Sequence, residues 1–185
     1  MKVEPSAPLF IRTSVKLSRI AADLDRAKVA RSDMEGVASH LRREELERVR
    51  GALNDCIGRA LHNIYCGVES TRENLAETVD GEKPSGNRWN SGLLDQMSVS
   101  TSKRPAVMDD HAELRDLMRF RHVFRSVYGE PLRHEEVLGH LEVVDELVLP
   151  KFLSCLDRLE RYLRVDVGGP LKEPSGSGDD DGLKP

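Results

Sequence analysis

The chain has 185 residues, 38% of them hydrophobic and 32% charged, with a net charge of −4 at neutral pH. That length suits one domain with a sizeable core, while the negative balance excludes a global basic field, so any nucleic-acid contact must come from a local patch. Four Phe, three Tyr and one Trp are too few for a β-sandwich, and the abundance of Leu, Arg and Glu points to an all-α fold. No apolar run is long enough to span a membrane. The opening MKVEPSAPLF lacks the charged and long apolar regions of a secretory signal. Cys56, Cys66 and Cys155 are odd in number and lie in helical patterns, and they read as buried free thiols of a cytoplasmic protein.

Residues 1–12 hold two prolines and no period, and read as an N-terminal arm ahead of a helical bundle over 13–167. From Thr13, the positions Val15, Leu17, Ile20, Ala21, Leu24 and Ala27 recur at helical spacing. Ser32-x-x-Glu35 has the capping-box pattern and predicts a break and restart. A long helix is expected from Arg42 to Val79, where Leu46, Val49, Leu53, Ile57, Leu61, Ile64, Val68, Thr71, Leu75 and Val79 step by three or four. Its wet side carries Arg43/Glu47 and Glu44/Arg48 as i,i+4 pairs. Asp80-Gly81 ends it, and the Gly-, Ser- and Pro-rich stretch to Pro105 contains a short amphipathic turn, SGLLDQM, capped by Asn90 and anchored by Trp89.

Asp110-x-x-Glu113 opens a helix to Tyr128, with Gly129 at the left-handed cap and Pro131 beyond it. A last helix runs from Arg133 to Val165 through Leu138, Leu141, Val144, Leu147, Leu153, Leu156, Leu159 and Leu163, with a kink at Pro150. Residues 168–185, GPLKEPSGSGDDDGLKP preceded by Gly168, cannot pack a core and read as a disordered acidic tail. The fold expected is an up-and-down bundle of four to five helices.

One helix departs from this pattern. In HAELRDLMRFRHVFRSVYG, Leu114, Leu117, Met118 and Phe124 are packing positions, but Arg115, Arg119, Arg121 and Arg125 are opposed locally only by Asp116. Leu114, Leu117, Met118, Arg125 and Tyr128 all fall within about 60° of Arg121 around the helix, so arginines continue the face that buries leucine. An arginine there must be paired with an acid or open to a cleft, because an unpaired buried charge costs several kcal/mol. A second stripe holds Arg115, Arg119, His122 and Ser126. The plain reading is a scaffold helix whose arginines pair with acids of neighbouring helices. The sharper one is an anion-binding groove in which guanidinium groups grip phosphate and His122 moves a proton. Arg with His suits cleavage of RNA through its own 2′-hydroxyl.

These residues, Arg121-His122-Val123-Phe124-Arg125-Ser126-Val127-Tyr128-Gly129, resemble the signature helix of HepT-like ribonuclease toxins, a branch of the HEPN superfamily. The family pattern is Arg, four residues, His, one residue, Tyr. The surrounding LRDLMRFRHVFRSVYG and the upstream DGEKPSGNRWNSGLLDQM also resemble a HepT-like subgroup, and the likeness covers roughly residues 45–165. It implies a HEPN-like bundle, a homodimer with motif helices lining one cleft, and a metal-independent ribonuclease needing no cofactor. It also implies an MNT-type nucleotidyltransferase antitoxin able to adenylylate the motif tyrosine. Arg121 takes the motif arginine, Tyr128 the motif tyrosine, and Ser126 stands where the family has histidine. Serine is no general base at neutral pH without an activating partner. Three readings stay open: His122 takes over the role; Arg115 and His122 form a pair in a shifted register; or catalysis is lost and the chain binds a nucleotidyltransferase partner or RNA. On the first reading Arg121, His122 and Ser126 form the catalytic group, Arg115, Arg119 and Arg125 bind RNA, and Tyr128 is the modification site.

The remaining histidines point nowhere sharper. His62 reads as a satisfied boundary residue, and His134 and His140, six apart, do not share a helical face for a metal. No Gly-rich phosphate loop, nucleophile elbow or zinc-type cysteine pair is present in the sequence.

Overall fold

The helix with the most regular period forms the axis of the bundle. The computed structural model describes residues 8–108, 112–126 and 132–165, excluding the side chains of residues 122, 123, 125, 126 and 165. Its helices are α1 (Pro8–Ala38), α2 (Arg43–Leu75), α3 (Trp89–Ser98), α4 (Ala112–Ser126), α5 (His134–Val143) and α6 (Leu149–Val165). The architecture is an all-α helical bundle, and among the described residues only an isolated Thr101–Arg104 bridge has β character. None of the described helices is long and apolar enough to cross a membrane.

The described part of α1 already includes Pro8, ahead of the Thr13 start its apolar period indicates. Proline suits the first turn of a helix, where its missing N–H has no partner to lose, and Leu9 is already buried. The break expected at Ser32 does not occur. Ala27, Ala30 and Met34 continue the buried stripe through that point, and Glu35 takes Arg31 at 2.8 Å instead of closing a capping box. A short turn at residues 39–42 then sends α2 back along α1. The Glu45 carboxylate fixes the start of α2 by accepting from the Arg42 backbone N–H at 3.1 Å. On its exposed side Glu47 pairs with Arg50 at 3.2 Å.

α2 is packed on opposite sides, and two glycines mark the closest approaches. A Cβ on Gly67 would lie 2.6 Å from Ile20 of α1, and one on Gly58 would lie 2.8 Å from Phe124 of α4. Nine residues of α-helix turn through about two and a half revolutions, which puts these two positions on opposite faces. α2 ends in a π-helical turn, Ala76–Asp80, closed by Gly81 in the left-handed region at φ 90°. Trp89 then packs against the core at the start of α3, as a loop anchor would. Asn90 does not cap α3. It lies inside the helix, and its amide donates to Glu69 across the bundle at 2.9 Å.

α5 and α6 are joined through a second π-helical turn, Val144–Val148, where the Leu149 N–H bonds Val144 O. The irregularity expected at Pro150 therefore takes the form of a wider turn immediately before it, where the proline ring would otherwise meet the Glu146 carbonyl. Lys28 of α1 reaches Asp145 in this turn at 2.7 Å. His134 bonds Asn54 of α2 at 2.7 Å, and His140 packs on the Phe120 ring with centroids 4.6 Å apart. Among the described residues no cluster of His, Cys, Asp or Glu could hold a metal ion. The cysteines are free, but only Cys155 is buried: Cys66 is half-buried and Cys56 exposed, because their positions on α2 turn away from the apolar face. The expected Asp110 cap, Tyr128, Gly129 and Pro131, and the 168–185 tail lie outside the described residues.

Packing at Gly67 predicts that Gly67→Val destabilises the protein by about 1–3 kcal/mol through overpacking. Gly51, with no atom within 4 Å of an added Cβ, should instead gain roughly 0.5–1 kcal/mol as Gly51→Ala. Urea denaturation of the two variants checks both signs.

Candidate functional site

Arg121 follows Leu114 and Leu117 on the inner face of α4, and both leucines are buried. Its side chain is only 16% exposed, and it meets Glu69 of α2, itself 9% exposed, at 3.1 Å. Of the two outcomes open to an arginine on this face, paired or facing a cleft unpaired, the structure has the paired one. Nη1 donates to both carboxylate oxygens, at 3.2 and 3.1 Å, while Asn90 of α3 donates to the same carboxylate at 2.9 Å. The guanidinium carbon sits 5.2 Å from the centroid of the Tyr65 ring, one turn before Glu69 on α2. This is cation–π distance. The Nε of Arg121 is buried without a hydrogen-bond partner.

Arg72 completes the cluster. It is buried, donates to Leu94 O at 3.1 Å, and leaves its own Nε without a partner. Burial lowers its pKa to about 10, which still leaves it charged at neutral pH. Burial also pushes the Glu69 carboxyl upward, with Arg121 pulling it back, and pushes the Tyr65 hydroxyl upward, reinforced by the charge of Glu69. The site is thus the Arg121 guanidinium against one aromatic ring and one carboxylate, with the buried Arg72 charge acting on the Tyr65 hydroxyl, built by α2, α3 and α4 together.

The other arginines of α4 diverge from this centre. Arg115 pairs with Asp95 of α3 at 2.7 Å, and Arg119 with Asp116 of its own helix at 2.6 Å in an exposed position. His122, Arg125 and Ser126 follow on the backbone of α4, and their side chains lie outside the described residues, as does the whole of Tyr128. His62, on α2, is half-buried, with its Nε2 3.7 Å from Cys66 Sγ and its ring 6.0 Å from Phe124.

Sequence reasoning passed over Tyr65, Glu69 and Arg72. The signal was present: Arg72 follows Val68 by four residues on the apolar stripe of α2, and Glu69 follows Tyr65 by four. The same test that singled out Arg121, a charge in an apolar register, finds them.

A second buried arginine holds the neighbouring loop. Arg104 is fully buried and grips Asp80 in a bidentate pair at 2.8 and 2.7 Å, while also donating to Val99 O, Gln96 O and Pro105 O. This fastens the end of α2 to both ends of the connection that carries α3, and so sets where Asn90 reaches Glu69. Asp80→Asn should cost about 3–5 kcal/mol, the usual loss when one partner of a buried pair is removed. Thermal unfolding measures it, and a surface-like loss below about 1 kcal/mol would contradict the assignment.

The protein-family comparison matches residues 56–163 to the model of HepT-like proteins. That span begins within α2 and ends in α6, so it takes in Tyr65, Glu69, Arg72 and all of α4. No curated protein and no solved structure gives a significant match. With the matched span covering more than half of the chain and the helical bundle in place, the chain belongs to the HepT-like protein family, within the HEPN-like superfamily.

Proposed function

We propose that this protein is the toxin component of a HepT-type toxin–antitoxin pair in the cytoplasm and cleaves RNA without a metal, in a cleft where the α4 helices of two copies meet. One observation carries the reading. The arginine of the family motif, Arg121, is fixed at the inner edge of α4 by Glu69 and Tyr65, with Asn90 holding the Glu69 carboxylate. A guanidinium held on one edge loses little further freedom when its other edge takes a phosphate. In the reaction, His122 removes the proton from a ribose 2′-hydroxyl, O2′ attacks the adjacent phosphorus, and the 5′-oxygen leaves with a proton, giving a cyclic 2′,3′-phosphate. Arg121 neutralises charge developing on the phosphorane, with Arg115, Arg119 and Arg125 adding to the field along the RNA.

The partner on this reading is an MNT-type nucleotidyltransferase that transfers AMP to Tyr128. The phosphodiester so formed would place negative charge and bulk two residues beyond Ser126, close to the arginines that meet RNA. A second reading is favoured by Ser126 itself, which stands at the motif histidine, together with the commitment of Arg121 to Glu69. On it the chain is an inactive HEPN module that binds the nucleotidyltransferase or RNA.

Cleavage of RNA in EDTA separates the readings. The wild-type protein should cleave, Arg121→Ala should be inactive, and His122→Ala should lose about 10²–10⁴ in rate, the usual contribution of a positioned acid–base group. A silent wild type with an active Ser126→His would mean a toxin disarmed at one residue. Silence in all of these would leave the binding module.

A further inference from the structure

The pairing of α1 with α2 leaves a groove on the side of α2 away from α4. Two adjoining hollows of about 350 and 440 Å³ share Asp23 and Asn63 and run along the seam. The basic groups that line them are Lys16, Arg19 and Arg26 from α1 and Arg59 from α2, against the acids Asp23 and Asp55. Asp23 is buried and already neutralised by Arg26 at 2.6 Å, with Asn63 donating to it at 3.4 Å. Lys16 donates to Ser70 O and Oγ at 2.9 and 2.6 Å, both neutral acceptors. Arg19 and Arg59 are exposed, and among the described residues neither has a carboxylate within ion-pair reach. The groove therefore keeps a positive surplus in a chain whose net charge is −4.

We propose that this α1–α2 groove is a sequence-independent binding track for the phosphate backbone of single-stranded RNA, separate from the Arg121 site. The cations lie in a row: Lys16, Arg19 and Arg26 share one face of α1 and span about 15 Å of helix, long enough to meet several successive phosphates. The lining argues against a peptide occupant, since apart from Ile20 its apolar members are small (Ala52, Ala60, Gly67) and offer no large surface for an anchoring side chain. It has no aromatic platform for bases either, so the ligand group is the phosphodiester itself. The α1 wall of the groove, with Lys16, Arg19 and Arg26, lies outside the span shared with the HepT-like family model, while Arg59 on the α2 wall lies within it. The inference rests on RNA being the ligand of the protein.

The test uses the full chain and a fluorescent 2′-O-methyl RNA oligonucleotide of mixed sequence, which cannot be cut through its 2′ position. Anisotropy is followed across a salt series. Arg19→Ala/Arg59→Ala should weaken binding and reduce the steepness of log K against log salt by about 1.4, the release of counterions from two phosphates on a single strand. The matched loss of two exposed arginines on α6, Arg161→Ala/Arg164→Ala, should leave both quantities unchanged. Wild-type affinity and slope in the groove variant, an equal loss in the α6 control, or displacement of the RNA by oligoglutamate at equal charge concentration would each overturn the track. Groove-dependent binding without any RNA cleavage would uphold the track while sinking the nuclease reading. Cleavage with groove-independent binding would do the reverse.

Discussion

The ion pair between Glu69 and Arg121 is the interaction on which the inner arrangement of this bundle depends. Removing a guanidinium and a carboxylate from water is expensive, and the attraction between them compensates only when geometry and further hydrogen bonds are good. Here the compensation is distributed over three helices: Arg121 from α4, Glu69 and Tyr65 from α2, and Asn90 from α3. The position of α3 depends in turn on Arg104 and Asp80, which fasten the connection on either side of it. A change in either buried pair is therefore felt by the other through the backbone of one loop.

This arrangement has a chemical consequence. A guanidinium that shares its charge with a carboxylate is a weaker electrostatic partner for phosphate than a bare one, but it is better oriented. Burial raises the affinity of Glu69 for a proton, and protonation would release charge from the pair toward an incoming anion. Glu69 thus sets both where Arg121 points and how much of its charge is available. Arg72, held below its ordinary pKa by burial, supplies a second positive charge that acts on the Tyr65 hydroxyl. The groove along α1 and α2 differs in kind: its free cations are exposed, its acids are few, and its geometry demands no particular base.

Much of the helical framework was legible in the sequence because α2 obeys a three-four step from Ile57 to Leu75 and α6 carries a regular leucine row. Boundaries were less legible where tertiary packing overrode a local signal. Ser32-x-x-Glu35 has the letters of a capping box, yet Met34 is needed in the core and the helix continues. Asn90 has the letters of an N-cap, yet α3 already starts at Trp89, and from inside the helix the Asn90 amide N–H donates to Glu69. The arginine row on α4 was visible as a conflict between charge and register that required either an acid partner or an open cleft, and at Arg121 the structure has the acid. The partner's identity was not visible, since 52 residues separate Glu69 from Arg121 and one sequence holds no record of which distant acid meets which base. Cys56 and Cys66 show the limit of composition: residue type favours burial, but their register on α2 turns them outward.

The central claim is that Glu69 and Arg121 act as a unit. A double-mutant cycle with Glu69→Gln, Arg121→Met and the pair combined, followed by urea denaturation, measures this directly. The account predicts a coupling energy of about 1–3 kcal/mol, with the double variant more stable than the sum of the single losses implies, because it leaves neither member of the pair buried without the other. Additive losses, with coupling within about 0.5 kcal/mol of zero, would contradict it and reduce the pair to two neighbouring side chains.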